Sequence, residues 1–411
     1  MPEFLFVESN TTGTGEIFLS RAADLGFQPV LLTRDPARYA FLRKSQAQRV
    51  AVQVTETRDR AGLLAAVRAR KSTVAGVFTA SDYFCGTAAW LAGQLGLPGA
   101  DHEAIDACRC KAGQRAVIAE SAPALNPRWT LVTASTAADA AAVIGLPVVV
   151  KPCDGSASVM VRKCASPDEA AWHALRIARE WPGTCGHILV EEYVPGPEFS
   201  AETFSGALVG VTEKSLGSEP HFVETGHLYP ARRRDAGPVG AAARTVARLL
   251  GLEWGPAHLE MRRGPAGVRV IEVNPRLGGD FIPELIRLAQ GIDLITDSIR
   301  LAAGATTSLA PSRRHFAAIR FLTQQADGLA VVTGVDTALG LPFVRDARGY
   351  PRPTARPVAG DSTDRVAHVI LSAPTRAQLL AAVAGTAKAL TVSMSAAAQA
   401  AGQSEQKGVL A

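Results

Sequence analysis

Short apolar runs alternate with helix-spaced apolar positions from the beginning of the chain. Phe4-Leu5-Phe6-Val7 is a four-residue apolar run; Ile17, Leu19 and Ala22 to Leu25 then recur at helical spacing; after Gly26 a second run covers Pro29 to Thr33. Strand, helix and strand in that order predict parallel pairing, because a parallel connection needs a crossover and the helix supplies it. A strand over Val74 to Thr79 and a helix over Gly86 to Leu95 carry the pattern to about residue 105.

The pattern then changes. Helices are predicted over Cys108 to Glu120 and Ala137 to Ile144, with a Pro-containing loop at Pro123 to Pro127 and strands over Trp129 to Val132, Val148 to Lys151 and Ile188 to Glu192. The alternating segment Glu198 to Val211 suggests an antiparallel continuation, since alternation marks a sheet covered on one face. A helix over Arg244 to Leu250 leads into strands His258 to Arg262 and Val268 to Val273, joined by Arg263-Gly264-Pro265-Ala266-Gly267, and into a helix over Ile282 to Ala289. Further strands fall over Ala317 to Leu322, Leu329 to Val335 and Val366 to Leu371, with a final helix over Arg376 to Ala389. The expected organisation is a multidomain mixture of α/β and α+β: an α/β unit over 1–105, a central unit over 106–195, a C-terminal unit over 196–390, and a tail over 391–411 expected to be disordered from its small and polar residues.

Composition narrows the function classes. At 411 residues the chain exceeds the ~250–300 at which one core stops growing. With 47% hydrophobic and 20% charged residues it has ample surface to bury. The longest apolar runs fall far short of the roughly 18 residues of a membrane helix, and Met1-Pro2-Glu3 lacks the basic flank of a secretion signal, so no membrane association and a cytoplasmic address are expected. The six cysteines form no CxxC pair and read as reduced thiols. The formal charge of +5 is scattered over Arg232-Arg233-Arg234, Arg262-Arg263 and Arg313-Arg314 without interleaved aromatics, which argues against nucleic acid. There are eight lysines against 35 arginines, so each retained lysine invites a reason.

Three segments carry candidate chemistry. Glu272 and Asn274 lie two apart on one strand and share a face. The midpoint between Glu260 and Glu272, residue 266, falls in the turn, so these carboxylates should oppose each other on paired strands. Opposed carboxylates repel unless a cation lies between them or one is protonated; oxygen donors beside an amide suit magnesium, while the plain alternative is a solvated hairpin face. Lys151 ends a strand just before Asp154-Gly155-Ser156-Ala157-Ser158, a small-residue loop able to close over an anion, and Lys111 is the only lysine between Lys71 and Lys151; either could equally be a surface residue. In Glu191-Glu192-Tyr193-Val194-Pro195-Gly196-Pro197-Glu198, an extended hinge exposes backbone groups that can pair with a flat heterocycle, and Glu198 could accept from sugar hydroxyls; alone, the segment is an acidic hairpin.

Taken in order and spacing, Lys111, Val149-Val150-Lys151-Pro152 with its Gly-Ser loop, the Glu191 to Glu198 hinge, His258-Leu259-Glu260 and Glu272-Val273-Asn274-Pro275-Arg276 resemble the ATP-grasp ligases over about residues 1–390. The resemblance implies an ATP-grasp fold with an N-terminal parallel-sheet domain. It implies ATP and Mg²⁺ (Mn²⁺ as the alternative ion), with Lys111, Lys151 and Ser156 at the phosphates, Glu191 and the backbone of Glu192, Tyr193 and Val194 at adenine, and Glu198 at ribose. It further implies Glu260, Glu272 and Asn274 as metal ligands and Lys151 and Arg276 as the catalytic cations, Arg276 steadying an acyl phosphate. In the loop, the additional Gly that many members carry after the second Ser is missing. Phe222-Val223-Glu224-Thr225-Gly226-His227 and Leu277-Gly278-Gly279-Asp280 are most similar to the dipeptide-forming L-amino acid ligases, including the bacilysin-forming type, which implies Glu224, His227, Arg276, Gly278 and Gly279 at the amino acid.

The expected reaction is therefore ATP-dependent coupling of a small carboxylate to an amine through an acyl phosphate; the oligomeric state is open, a homodimer being the commonest form for soluble enzymes in general. The alternatives are an ATP-grasp carboxylase or purine-pathway ligase acting on bicarbonate or formate, and a non-enzymatic nucleotide sensor. Two weaker features stand beside these. Gly13-Thr14-Gly15-Glu16-Ile17-Phe18 partly mimics a dinucleotide fingerprint, with Asp35 twenty residues after Gly15 but Phe18 at the third glycine position. Cys153, with no paired histidine, reads as a small buried residue rather than a nucleophile.

Overall fold

The structure, a computed structural model, describes residues 1–11, 14–43, 49–155, 158–181, 183, 187–350 and 354–395. Four strands open the chain: β1 (Glu3–Val7), β2 (Gln28–Thr33), β3 (Ala51–Val54) and β4 (Val74–Phe78), with helices α1 (Thr14–Asp24), α2 (Arg60–Arg68) and α3 (Cys85–Gln94). They form an all-parallel sheet in the order β3-β2-β1-β4. α1 buries Phe18, Leu19, Ala22 and Ala23, the i, i+1, i+4 spacing that puts one stripe on the sheet. The helices α4 (His102–Cys108) and α5 (Lys111–Ser121) follow. One helix was expected here. The chain instead breaks at Arg109-Cys110, so that Lys111 opens a helix of its own.

A second sheet comprises β5 (Trp129–Val132), β6 (Val148–Pro152), β7 (Arg162–Cys164) and β8 (Ile188–Glu192), in the order β5-β8-β6-β7, backed by α6 (Ala137–Ile144) and α7 (Pro167–Glu180). α7 starts where Ser166 accepts from the Glu169 amide and Pro167 takes the first helical position. The two helices bury Ala137, Ala141, Ile144, Ala170, Ala174 and Ile177 against the apolar strand faces.

The remaining elements are β9 (Glu198–Phe204), β10 (Ala207–Leu216), β11 (Glu224–Tyr229), α8 (Arg233–Leu249), β12 (Pro256–Gly264), β13 (Gly267–Asn274), α9 (Ile282–Gln290), α10 (Leu294–Ala302), β14 (Phe316–Thr323), β15 (Leu329–Thr333), α11 (Val335–Leu339), β16 (Val344–Gly349), β17 (Arg365–Ala373), α12 (Arg376–Ala389) and β18 (Thr391–Ser395). Eight of the strands form one sheet in the order β13-β12-β9-β10-β11-β14-β17-β16. The run Glu198 to Val211, expected as a single segment, is a hairpin: Ser205 and Gly206 take positive φ (47° and 78°) and turn the chain. Similarly, β15 ends at Thr333, and Gly334 (φ 83°) starts a helix where a strand to Val335 was expected. β18 occupies the first five residues of the expected tail and pairs with β15; residues 396–411 lie outside the described residues.

Helix α5 fastens the second sheet to the end of the third. Gln114 Nε2 donates to the Val273 carbonyl (2.7 Å) and its Oε1 accepts from the Val273 amide (3.0 Å), while Arg115 Nη2 donates to the Ile271 carbonyl (2.8 Å). A cleft remains between the sheets, floored by β13. Among the described residues no helix is long and apolar enough to cross a membrane.

Candidate active site

Lys111, Lys151, Gly155, Glu191, Glu192, Tyr193, Val194, Glu198, Glu260 and Glu272 all line one cavity in that cleft. Ser156, expected with them, lies outside the described residues. Lys151 is buried at the end of β6, where its Nζ meets Glu191 Oε2 at 2.6 Å and donates to the Ile271 carbonyl at 3.3 Å. Arg115 Nε approaches the other Glu191 oxygen at 2.5 Å. Burial alone would raise the Glu191 carboxyl, but Arg115 and Lys151 outweigh it and hold it down at about 2. Burial conversely lowers the Lys151 ammonium against the pull of Glu191. Lys111 reaches from the first turn of α5 to Glu272 Oε1 (2.9 Å) and to the Gly155 carbonyl of the small-residue loop.

At the hinge, the Glu192 amide donates to the Arg128 carbonyl (2.9 Å) and the Tyr193 amide to the Pro147 carbonyl (3.0 Å). The Glu191 side chain, expected near a base, points instead to the two cations just named. Gly196 carries the reversal between β8 and β9 with φ 109°, packed so that a Cβ there would collide with the Arg263 carbonyl oxygen. Glu198 is gripped at both oxygens, by Lys214 Nζ (2.9 Å) and Arg262 Nε (2.9 Å).

Glu260 and Glu272 sit directly opposite each other on β12 and β13, and His258 opposes Asn274. The mutual repulsion of the carboxylates is relieved by cations on either flank: Glu260 Oε1 meets Lys214 Nζ at 2.9 Å and His258 Nε2 at 3.1 Å, and Glu272 meets Lys111. Both carboxylates keep about a fifth of their side-chain surface open to the cleft. Two opposed carboxylates with an amide two positions on are hard oxygen donors, and they fit a magnesium ion. His258 also holds Glu202 at 2.6 Å; burial would lower its imidazole, yet Glu202 and Glu260 push it up to about 10.

Beyond the carboxylates, Glu224, His227 and Asp280 offer ligand atoms within 4.8 Å of one another. His227 Nε2 meets Asp280 Oδ2 at 3.1 Å, and Arg365 bridges Asp280 Oδ1 (2.6 Å) and Glu224 Oε2 (2.5 Å). Asp280 and Phe281 both hold positive φ (54° and 61°), a costly arrangement for residues with side chains, at the entry to α9. The Gly278 amide donates to Glu202 Oε2 at 3.2 Å, and a side chain at Gly278 would press on His258 and Glu202, whereas Gly279 faces open space. Arg276 is drawn to the first sheet's unit, where Nη2 donates to Asp82 Oδ2 at 2.9 Å.

Lys214, Arg115, Arg262, Asp280 and Arg365 were not anticipated. Lys214 is the most informative omission, since its ammonium joins Glu198, Glu224 and Glu260 at 2.9–3.0 Å and is pushed well above its usual value by them, against burial. It is one of only eight lysines in the chain, so the scarcity that drew attention to Lys111 and Lys151 applied to it equally.

Comparison with known proteins bears on what this arrangement belongs to. A family model for the ATP-grasp domain matches residues 144–284, from the end of α6 to the start of α9. An uncharacterised protein of Sinorhizobium fredii, y4rH, is 35% identical over 384 residues, spanning 92% of this chain and 80% of that protein. The chain is a member of the ATP-grasp superfamily of ligases. Human carnosine synthase 1 is 28% identical over 348 residues; that match takes in 76% of this ATP-grasp chain but 42% of the human protein. Among solved structures, the L-amino acid ligase of Bacillus licheniformis superposes with a TM-score of 0.77 over 96% of this chain and 99% of that one, at 18% identity, a likeness of fold.

Proposed function

We propose that the chain activates a small carboxylate with ATP and couples it to the amine of an amino acid, releasing ADP and phosphate. A carboxylate does not condense with an amine at neutral pH, because oxide is too poor a leaving group, and phosphorylation supplies a better one. On this reading Lys111 and Lys151 offset the charge of the ATP phosphates, the Glu192 to Val194 hinge borders adenine, and Glu198 meets ribose, exchanging one of its present cation contacts. Glu260, Glu272 and Asn274 would hold the divalent ion, magnesium or manganese, which when bound neutralises phosphate charge. Arg276 meets the phosphorylated carboxylate, and Glu224 and His227 bracket the amino acid beside Gly278 and Gly279. The loop at Gly155 to Ser158 would act as a lid keeping water from the acyl phosphate.

What supports the reading is the convergence in one cleft of two lysines, an extended hinge and a pair of opposed, cation-flanked carboxylates. The fold shared with a protein named an L-amino acid ligase, beside the sequence match to a carnosine synthase, favours an amino acid as one substrate. The test is an ADP-release screen over pairs of amino acids and small acids, with bicarbonate and formate as controls and mass spectrometry of the product. Release dependent on an amino acid, with a product one water lighter than the pair, supports the proposal. Release that responds only to bicarbonate or formate overturns it.

A further inference from the structure

A second cavity, of about 640 Å³, lies on the far side of the eight-stranded sheet, within the ~300–1,000 Å³ range of small-molecule sites. The alternation of β14 sets its position. Ile319 and Phe321 face the core shared with α9, whereas Ala318 and Leu322 face the core shared with α12, so Arg320 between them points toward α12. Its neighbour across the ladder is Gly226, which places no side chain over the guanidinium. Leu228, Leu322, Leu380, Val383, Leu390 and Val392 make most of the wall apolar, and Thr323, Gln325 and Thr391 give it a polar part.

Arg320, half-buried, differs from the buried arginines of this molecule. Arg115, Arg262 and Arg365 each pair with a glutamate, but no carboxylate among the described residues forms an ion pair with Arg320. Its Nη1 is buried with no hydrogen-bond partner, and burial lowers its affinity for the proton. A half-buried guanidinium with one nitrogen shielded from water and no counterion carries a desolvation cost that an anionic ligand would relieve. One guanidinium unaided by a second cation matches a monoanion rather than a phosphate dianion, and apolar walls match a hydrocarbon body.

We propose that this cavity binds a carboxylic acid with an apolar body of several carbons, its carboxylate paired with Arg320. The site shares no lining residue with the nucleotide cleft, meets the proposed amino acid site only at His227, and stands whether or not the proposed reaction is correct.

The test is isothermal titration of hexanoate into the full chain saturated with Mg-ADP. Expected are saturable one-to-one binding, none with hexanol or hexylammonium, and at least a roughly tenfold loss in Arg320→Met, with Arg320→Lys retaining most of the affinity. Arg320→Met removes an uncompensated charge and is expected to fold with an unchanged or raised thermal midpoint. Val383→Trp, which fills the cavity, should abolish hexanoate binding and leave the Mg-ADP thermal shift intact. Equal affinity in Arg320→Met, no saturable binding to the wild type, or preference for inorganic phosphate over hexanoate would each overturn the proposal.

Discussion

At the scale of single residues, the cleft is a network of ion pairs in which the opposed Glu260 and Glu272 are each paired with cations of their own. Glu272 is the member whose removal disturbs this network least, since its recorded partner is Lys111 alone and it remains partly open to the cleft. Glu272→Ala is therefore expected to leave the thermal midpoint within a few degrees of wild type while abolishing amine-dependent ADP release, a loss on the order of 3 kcal/mol or more in transition-state stabilisation. Undiminished turnover would defeat the metal assignment. His258 lends itself to a pH experiment. Its folded value of about 10 exceeds the ordinary 6.5, so its contribution to stability is complete below about pH 6.5 and disappears as pH rises through 10. In denaturant titrations across that range, the stability gap between wild type and His258→Gln should be widest at the acidic end and close toward pH 10. A gap independent of pH would mean that the imidazole is neutral in the folded protein.

At the scale of elements, the hinge between β8 and β9 is fixed by one glycine. Because Gly196 combines φ 109° with a backbone oxygen where a Cβ would stand, Gly196→Ala should cost about 1–3 kcal/mol of stability and raise the KM for ATP more than it lowers kcat, since the strain falls on the segment assigned to adenine. An unchanged KM for ATP would detach the hinge from nucleotide binding. What the sequence made legible at this scale follows from the range of the forces involved. The opposition of Glu260 and Glu272 was readable because a hairpin is local and its turn sets the register. Strands such as Trp129–Val132 and the helix Arg376–Ala389 announced themselves by uniform patterning. By contrast, the start of α7 is spelled out only by Ser166, Pro167 and Glu169, and its exposed face carries the apolar Trp172 and Leu175 beside the buried stripe. The pairing of Arg115 with Glu191, or of Arg365 with Glu224 and Asp280, joins residues 76 to 141 positions apart, and no local period encodes such a meeting.

At the scale of the whole molecule, the parallel sheet at the start of the chain is more than an attachment, since it supplies the counterion of Arg276. Asp82 sits just after β4, and its carboxylate reaches across to the guanidinium at the far end of β13, 194 residues later in sequence. If Arg276 meets a transient acyl phosphate as proposed, it has to be held in one orientation beforehand, because a misplacement of about 1 Å can cost on the order of a hundredfold in rate. Asp82 is thus expected to act as a positioning residue, and Asp82→Asn to reduce kcat by about tenfold or more, roughly 1.4 kcal/mol. The nucleotide should be bound as before: saturating Mg-ADP stabilises by about 2.7 kcal/mol at a hundred times its Kd, and the corresponding thermal shift should match that of wild type. Asp82→Glu, which keeps the charge on a longer arm, should recover part of the lost rate. A variant that loses the thermal shift along with the rate would show that the contact merely holds two parts of the molecule together, whereas a rate equal to wild type would show that Arg276 finds its orientation without the first sheet.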